Sequence, residues 1–218
     1  MPSSEAPAAD GPGVPGRGED ARAETLERLR HAIAGVGADG VVSAEARGHA
    51  EDVEAGDDAD YAKAKKRGLN MLSARSHSVA ELRRKLIAKE HTPEAAERVV
   101  VRFQELGLLD DAAYAEEYVR GKREGRALSK AVLRRELADK GVAEEHISQA
   151  LAPIEDADEA ELAIRLVEKK LPGVARLPRE KQERRLLGML ARRGFPPGLS
   201  LRIVSELLDD AGTGAAIE

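Results

Sequence analysis

Three stretches of this chain share one pattern of leucines: SVAELRRKLIAKE (78–90), SKAVLRRELADKG (129–141) and RLLGMLARRGF (185–195). The pairs Leu82/Leu86, Leu133/Leu137 and Leu186/Leu190 each set two leucines four residues apart, on one face of a helix. The second pair follows the first by 51 residues, and the third follows the second by 53. A period near fifty excludes the ~34-residue tetratricopeptide and ~33-residue ankyrin repeats and leaves room for three helices per unit. Aromatic residues make up only 2% of the chain and Trp is absent, so Leu, Val, Ile and Ala must do the packing. That favours thin layers of helices over a sheet sandwich.

Punctuation supports the same reading. Ser78 stands three residues before Glu81, the spacing of a capping box, and Ser129 opens the second copy as an N-cap. Leu82, Leu86 and the stem of Lys89 are expected to form a buried stripe, with Arg84 opposite. Thr92-Pro93 starts a helix and Gly107 ends it; Gly141 and the run Gly194-Phe195-Pro196-Pro197 mark later stops. The predicted fold is all-α: three tandem three-helix repeats (61–111, 112–158, 159–210) stacked into an elongated, curved solenoid. A unit this small is expected to bury little on its own, so neighbours must stack. A flexible tail (211–218) follows.

Residues 1–60 read differently. Four Pro and four Gly fall within the first twenty positions, and the segment holds 14 acidic and 5 basic side chains. It is expected to be a largely disordered acidic arm, with a transient helix over 23–34 carrying Leu26, Leu29 and Ile33. The remainder holds 26 acidic and 30 basic residues, a mildly basic body that points toward a nucleic-acid or anionic partner. With no Cys, no signal-peptide pattern and no long apolar run, the chain reads as a cytoplasmic protein without a membrane segment.

The sequence holds no pattern for an enzyme. The histidines at 31, 49, 77, 91 and 146 lack metal-ligand spacing, and GPGVPGRG (11–18) lacks the Lys-Ser/Thr of a phosphate loop. No cofactor or metal is expected. Asp110-Asp111 opens a helix just after Gly107, where capping explains it better than metal binding. Tyr114, Ala115, Tyr118 and Val119 fall on an inner face, so base stacking by the tyrosines is disfavoured. The candidate partner- or DNA-binding residues are the recurring cations: Arg83, Arg84 and Lys85, then Arg134 and Arg135, then Arg192 and Arg193. Arg75, Lys122 and Arg123 join them. Phosphate binding is one sequence-independent use of such a set, and pairing with an acidic protein surface is the other.

SARSHSVAELRRKL (73–86), FQELGLLDDAAYAEEYV (103–119), LRRELADKGV and the late RRGF together resemble the RecX family over roughly residues 61–210. The most specific run is L-G-x-L-D-D-x-x-Y-A at Leu106–Ala115, which includes Gly107, Leu109, Asp110, Asp111, Tyr114 and Ala115. It is reinforced by R-x-x-S-x-x-E-L-x-x-K-L at Arg75–Leu86. Two departures stand out: Glu90-His91 where the family usually has Gly, and Leu108 where an aromatic commonly precedes Leu109. The resemblance implies a non-enzymatic monomeric modulator of the RecA recombinase. It would bind the RecA filament on single-stranded DNA, meeting DNA through the filament, and restrain filament growth, strand exchange and ATP hydrolysis. The rival reading is a stand-alone helical DNA-binding protein that uses its Leu-Arg-Arg helices like helix-turn-helix modules.

Overall fold

The computed structural model describes residues 51–214 and the single residue Glu27. Contacts divide the chain into residues 1–46 and 47–218, and every helix named below lies in the second unit. Among the described residues there are nine α-helices and no strand: α1 (Glu51–Ala74), α2 (Val79–Ile87), α3 (Pro93–Glu105), α4 (Asp111–Arg126), α5 (Lys130–Asp139), α6 (Glu144–Leu151), α7 (Asp156–Lys170), α8 (Arg179–Arg192) and α9 (Pro197–Gly214). A single 3₁₀ turn, Leu171–Gly173, separates α7 from α8. Three consecutive helices form each repeat.

The helices begin where the side chains direct. Ser78 accepts from Glu81 N–H at 3.1 Å, Thr92 from Ala95 N–H at 3.2 Å and Ser129 from Val132 N–H at 3.3 Å. Asp110 accepts from the amides of Ala112 and Ala113. Each satisfies donors that a helix leaves without an internal partner. The capping box expected at Ser78/Glu81 forms by half, because the Glu81 carboxylate turns away from the backbone to pair with Arg75.

Each repeat closes around its own apolar cluster. The leucine pairs of α2, α5 and α8 are all at 0% exposure. Around Leu82 and Leu86 lie Val99, Val100 and Phe103, all fully buried. The second cluster runs from Tyr114 and Ala115 to Leu151 and Ile154, and the third from Ala163 to Leu208, with Phe195 inside it. All helix pairs that pack extensively belong to the same repeat. The expectation that a unit buries little alone is therefore corrected: three cores stand in series, and the repeats meet through polar joints.

The joints follow one design. The N-cap serine of one repeat's middle helix donates to a carbonyl at the end of the next repeat's middle helix: Ser78 Oγ to Lys140 O at 2.7 Å, and Ser129 Oγ to Gly194 O at 2.8 Å. A carboxylate from the next repeat's first helix accepts the following amide: Val79 N–H to Asp111 at 2.9 Å, and Lys130 N–H to Glu159 at 3.0 Å. Gly141 and Gly194, both at φ 80°, make the approach possible. A Cβ on Gly141 would lie 2.5 Å from Ala80 Cβ, and one on Gly194 would lie 2.2 Å from Val132 Cγ2. Glu90 occupies the equivalent turn of the first repeat at φ 67°. Among the described residues no earlier repeat abuts it, so a side chain there meets the intrinsic cost of the left-handed conformation, about 1–2 kcal/mol.

Three boundaries differ from the sequence reading. Helix α1 begins at Glu51, ten residues before the expected body. Its Asp60 accepts from Thr92 N–H at 2.9 Å and lies 2.6 Å from His91 Nδ1, and Asp58 pairs with Arg98 at 2.9 Å, so this end of the acidic segment caps α3. The last helix runs to Gly214, past the expected start of the tail. Lys89 is exposed beyond the end of α2 and adds nothing to its buried stripe. The helix expected over 23–34 lies outside the described residues, Glu27 excepted.

Two stability experiments test this architecture. Leu82→Ala, Leu133→Ala and Leu186→Ala each empty a fully buried site and are expected to cost about 2–5 kcal/mol in chemical denaturation. A near-zero cost at one would mean that this repeat is packed differently from the others. Deleting residues 1–60 is expected to lower the melting temperature relative to deleting 1–50, because it strips the bonds of Asp58 and Asp60, together worth about 1–3 kcal/mol. Equal melting temperatures would show those bonds to be idle.

Candidate partner-binding surface

The ten candidate cations divide by what they touch. Arg75 pairs with Glu81, Arg83 with Glu97 at 2.6 Å, Lys85 with Glu81 at 3.5 Å, and Arg134 with Glu144. Arg123 is mostly buried and holds Glu159 at 2.8 Å, which ties α4 to α7 across the second joint. Arg193 folds onto Met189 O at 3.3 Å, and its own carbonyl accepts Ser129 N–H. Arg84 does not project freely away from the leucine stripe. Its guanidinium donates to Ala80 O at 3.2 Å and to Asp139 O at 3.3 Å, so it closes the last turn of α5. Lys122 lies 5.0 Å from the Tyr118 ring centroid. Arg135 and Arg192 alone of the ten make no side-chain hydrogen bond, ion pair or ring contact among the described residues.

Between α2 and the α4–α5 pair, the first joint opens into a groove of ≈ 570 Å³ lined by Glu81, Arg84, Lys85, Tyr118, Glu136 and Lys140. Tyr118 is half-buried, as its place on the inner stripe suggested, but its edge forms the groove wall. Its hydroxyl donates to Glu136 at 2.6 Å, and Lys140 Nζ lies 5.2 Å from the ring centroid. Burial, and then the bond to Glu136, push the Tyr118 pKa upward. Beneath it Tyr114 is buried, and burial together with the charge of Glu81 raises its hydroxyl to about 12. Both tyrosines are neutral at any physiological pH.

Glu81 is the electrostatic centre of this joint. Arg75, His77, Lys85 and Lys140 all lie within 4 Å of its carboxylate. Burial alone would raise its pKa, but the bond from Arg75 and the charges of Lys140, Arg75 and His77 outweigh burial and bring it down to about 2. His77, only 4% exposed, moves downward through burial first and then through the charges of Arg75 and Lys85. Asp111 moves upward because it is desolvated, while Val79 N–H and His146 pull the other way. Of the aspartate pair, then, Asp110 caps its own helix and Asp111 caps α2 across the joint. Among the described residues no cluster of acidic or histidine side chains has the geometry to hold a metal ion.

Nothing local in the sequence marks Glu159, Lys140 or Asp60 as contact residues. Lys130, Glu81 and His91, which they bind, lie 29, 59 and 31 positions away respectively, and no local pattern encodes that distance.

The Glu81 carboxylate has a folded pKa below its ordinary 4.5. Its contribution is therefore complete above pH 4.5 and is lost as the pH falls toward 2. Glu81→Gln is expected to destabilise the protein at neutral pH by on the order of 2 kcal/mol once screening by solvent is allowed for. The gap to wild type is expected to shrink between pH 4.5 and 2, measured by urea denaturation across that range. A gap that stays constant with pH would show that the Glu81 charge does not hold the joint.

Comparison with known proteins places this architecture. Residues 64–103, 110–151 and 157–204 match, in order, the first, second and third three-helix domains of RecX. The chain is 39% identical over 144 residues to the Regulatory protein RecX of Streptomyces coelicolor, covering 66% of this chain and 77% of the relative. It is 38% identical over 152 residues to that of Thermobifida fusca, covering 70% and 82%. The fold is similar to the crystal structure of RecX from Lactobacillus salivarius, with a TM-score of 0.58 at 24% identity, covering 68% of this chain and 96% of that one. A second crystal structure of regulatory protein RecX gives a TM-score of 0.61 at 24% identity, covering 83% and 84%. Three matching domains in the right order, joined as described above, make this chain a member of the RecX family of regulatory proteins.

Proposed function

We propose that this protein regulates the RecA recombinase by binding its filament on single-stranded DNA and limiting filament growth, strand exchange and ATP hydrolysis. The observation that carries this reading is the serial arrangement of three RecX domains, each with its own core and each joined to the next by the same head-to-tail device. A partner that is long and periodic is met best by a binder that repeats one body along its length. In this reading the protein acts by binding, as a monomer in the cytoplasm, without a cofactor or catalysis. It serves the control of DNA repair and recombination.

The helix-turn-helix rival is disfavoured by the joints. A recognition helix reads base edges with its N-terminal residues. In α2 and α5 those ends are covered by the following repeat, and Ser78 and Ser129 are both at 0% exposure.

The protein is expected to lower the DNA-dependent ATP hydrolysis of RecA. Arg135 is exposed and uncommitted on α5, so Arg135→Glu is expected to leave helix content unchanged by circular dichroism and to weaken inhibition about three- to tenfold. That loss shrinks as salt screens the charge over a Debye length of about 8 Å. Arg84 is unsuitable for the same test, because a carboxylate there would face the carbonyl of Asp139. Inhibition by Arg135→Glu equal to wild type would move the contact off α5. A folded wild-type protein that never affects RecA would overturn the proposal.

A further inference from the structure

The middle helix of the third repeat is unlike the other two. On α2 and α5 most cations are matched by neighbouring carboxylates or carbonyls. Residues 169–193 hold nine basic and two acidic side chains, in a chain whose net charge is −5. At about 100° per residue, Lys181, Arg184, Arg185 and Arg192 share an arc of roughly 100° on α8, opposite its buried leucines. All four are exposed, and none makes a side-chain hydrogen bond or ion pair among the described residues. The two carboxylates of the helix, Glu180 and Glu183, fall on its flank, and Glu183 is taken by Arg179 at 3.2 Å. Lys169, Lys170 and Arg176 are exposed beside the N-terminal end of the stripe.

A second feature lies within the stripe. Gly188 sits between Arg184 and Arg192 on the same row, in the interior of a helix, where glycine is disfavoured. Packing does not require it: a Cβ there would touch only Arg192 Nη1, at 3.4 Å. The missing side chain leaves room over the helix into which the Arg192 guanidinium reaches, with Arg184 and Arg185 alongside.

We infer that this face of α8 is a phosphate-backbone surface that takes single-stranded nucleic acid directly, with a phosphate seated over Gly188 and its neighbours on the flanking arginines. An acidic protein partner fits less well, because arginine anchors protein interfaces from well-packed, desolvated centres, and this stripe is exposed with no apolar or aromatic side chain among its cations. A duplex is met by a helix that enters the major groove end-on with base-reading residues. The stripe instead runs along a flank for about 16 Å and carries only Lys, Arg and Gly. A flexible strand following that flank needs no base readout, so its binding is sequence-independent and governed by counterion release. This surface does not rest on the recombinase reading, and its test contains no recombinase.

The full chain is titrated into a fluorescein-labelled homothymidine oligonucleotide, by anisotropy, across a salt series. Four phosphate contacts give a slope of log affinity against log salt of about −3. Arg184→Glu/Arg185→Glu is expected to weaken binding at least about tenfold at low salt and to make the slope shallower by more than about 1. Gly188→Gln changes no charge and is expected to weaken binding several-fold without lowering the melting temperature. Lys89→Glu, a charge reversal at an exposed site on the first repeat, is expected to bind as wild type. Unchanged binding by both α8 variants, with folding confirmed by circular dichroism, would falsify the surface. So would a preference for polyglutamate over the oligonucleotide, or for duplex over single strand.

Discussion

A serine hydroxyl can accept one hydrogen bond and donate another, and the joints between repeats use both capacities. Ser78 and Ser129 accept from the amide three residues on, which starts their own helices. The same hydroxyls donate to the carbonyl that ends the neighbouring middle helix. Without this exchange, each joint would bury one helix's free amides against another's free carbonyls at a cost of about 1–3 kcal/mol per unsatisfied group. With it, α8, α5 and α2 meet end to end, with dipoles aligned and their polar ends matched. The rest of the geometry follows from that contact. A left-handed glycine is needed where a Cβ would collide, a carboxylate is needed to take the next amide, and the first repeat does without the glycine because, among the described residues, no other repeat packs on its turn.

The periodic part of this design was legible in the sequence. Leucines at fixed spacing marked the buried faces, serine and threonine marked the helix starts, and glycine marked the stops. The family resemblance rested on residues such as Asp110, Asp111 and Tyr114 that the structure places at caps and in a core. What the sequence could not show was pairing across repeats. Glu81 looked like half of a capping box, yet it serves three cations, one of them from the next repeat, and His77 beside them. Arg84 looked like a free surface charge, yet it closes a helix 55 positions away. Both are local patterns overruled by partners that only the tertiary arrangement supplies. The start of α1 was missed for the same reason: an acid-rich stretch has no apolar signature, and Asp60 is held by His91 and Thr92 rather than by burial of its own neighbours.

Pairing also changes how the charges should be read. A recurring Leu-Arg-Arg suggests a repeated cationic surface, but a cation bound to a nearby carboxylate presents little net field to a partner. Arg83, Lys85, Arg123 and Arg134 are committed in this way, so the motif's recurrence reflects construction as much as recognition. Among the middle helices the uncommitted charge, Arg135 apart, lies on α8, whose sequence departs most from the other two copies. It lacks the N-cap serine, since Pro178 stands there, and among the described residues no other repeat packs on that end. Its N-terminal end is thus without the serine on which the two joints are built.

Independent cores linked by hydrogen-bonded joints have a mechanical consequence. Bending at a joint disturbs a few polar bonds and leaves each apolar cluster intact, whereas bending a solenoid with a continuous core would open that core. The two joints are not equal in this respect. The second is fastened by the buried Arg123–Glu159 pair and by Ser129 N–H to Arg193 O at 3.0 Å, a main-chain bond with no counterpart in the first. The first has the partly buried bonds of Ser78 to Lys140 O and of Val79 N–H to Asp111, but its ion pairs gather on Glu81 at the mouth of an open groove, and its further bonds, Ser76 to Glu117 and Arg84 to Asp139 O, are exposed. The second joint therefore carries more of its hold on an ion pair shielded from solvent, and the first on one that water reaches.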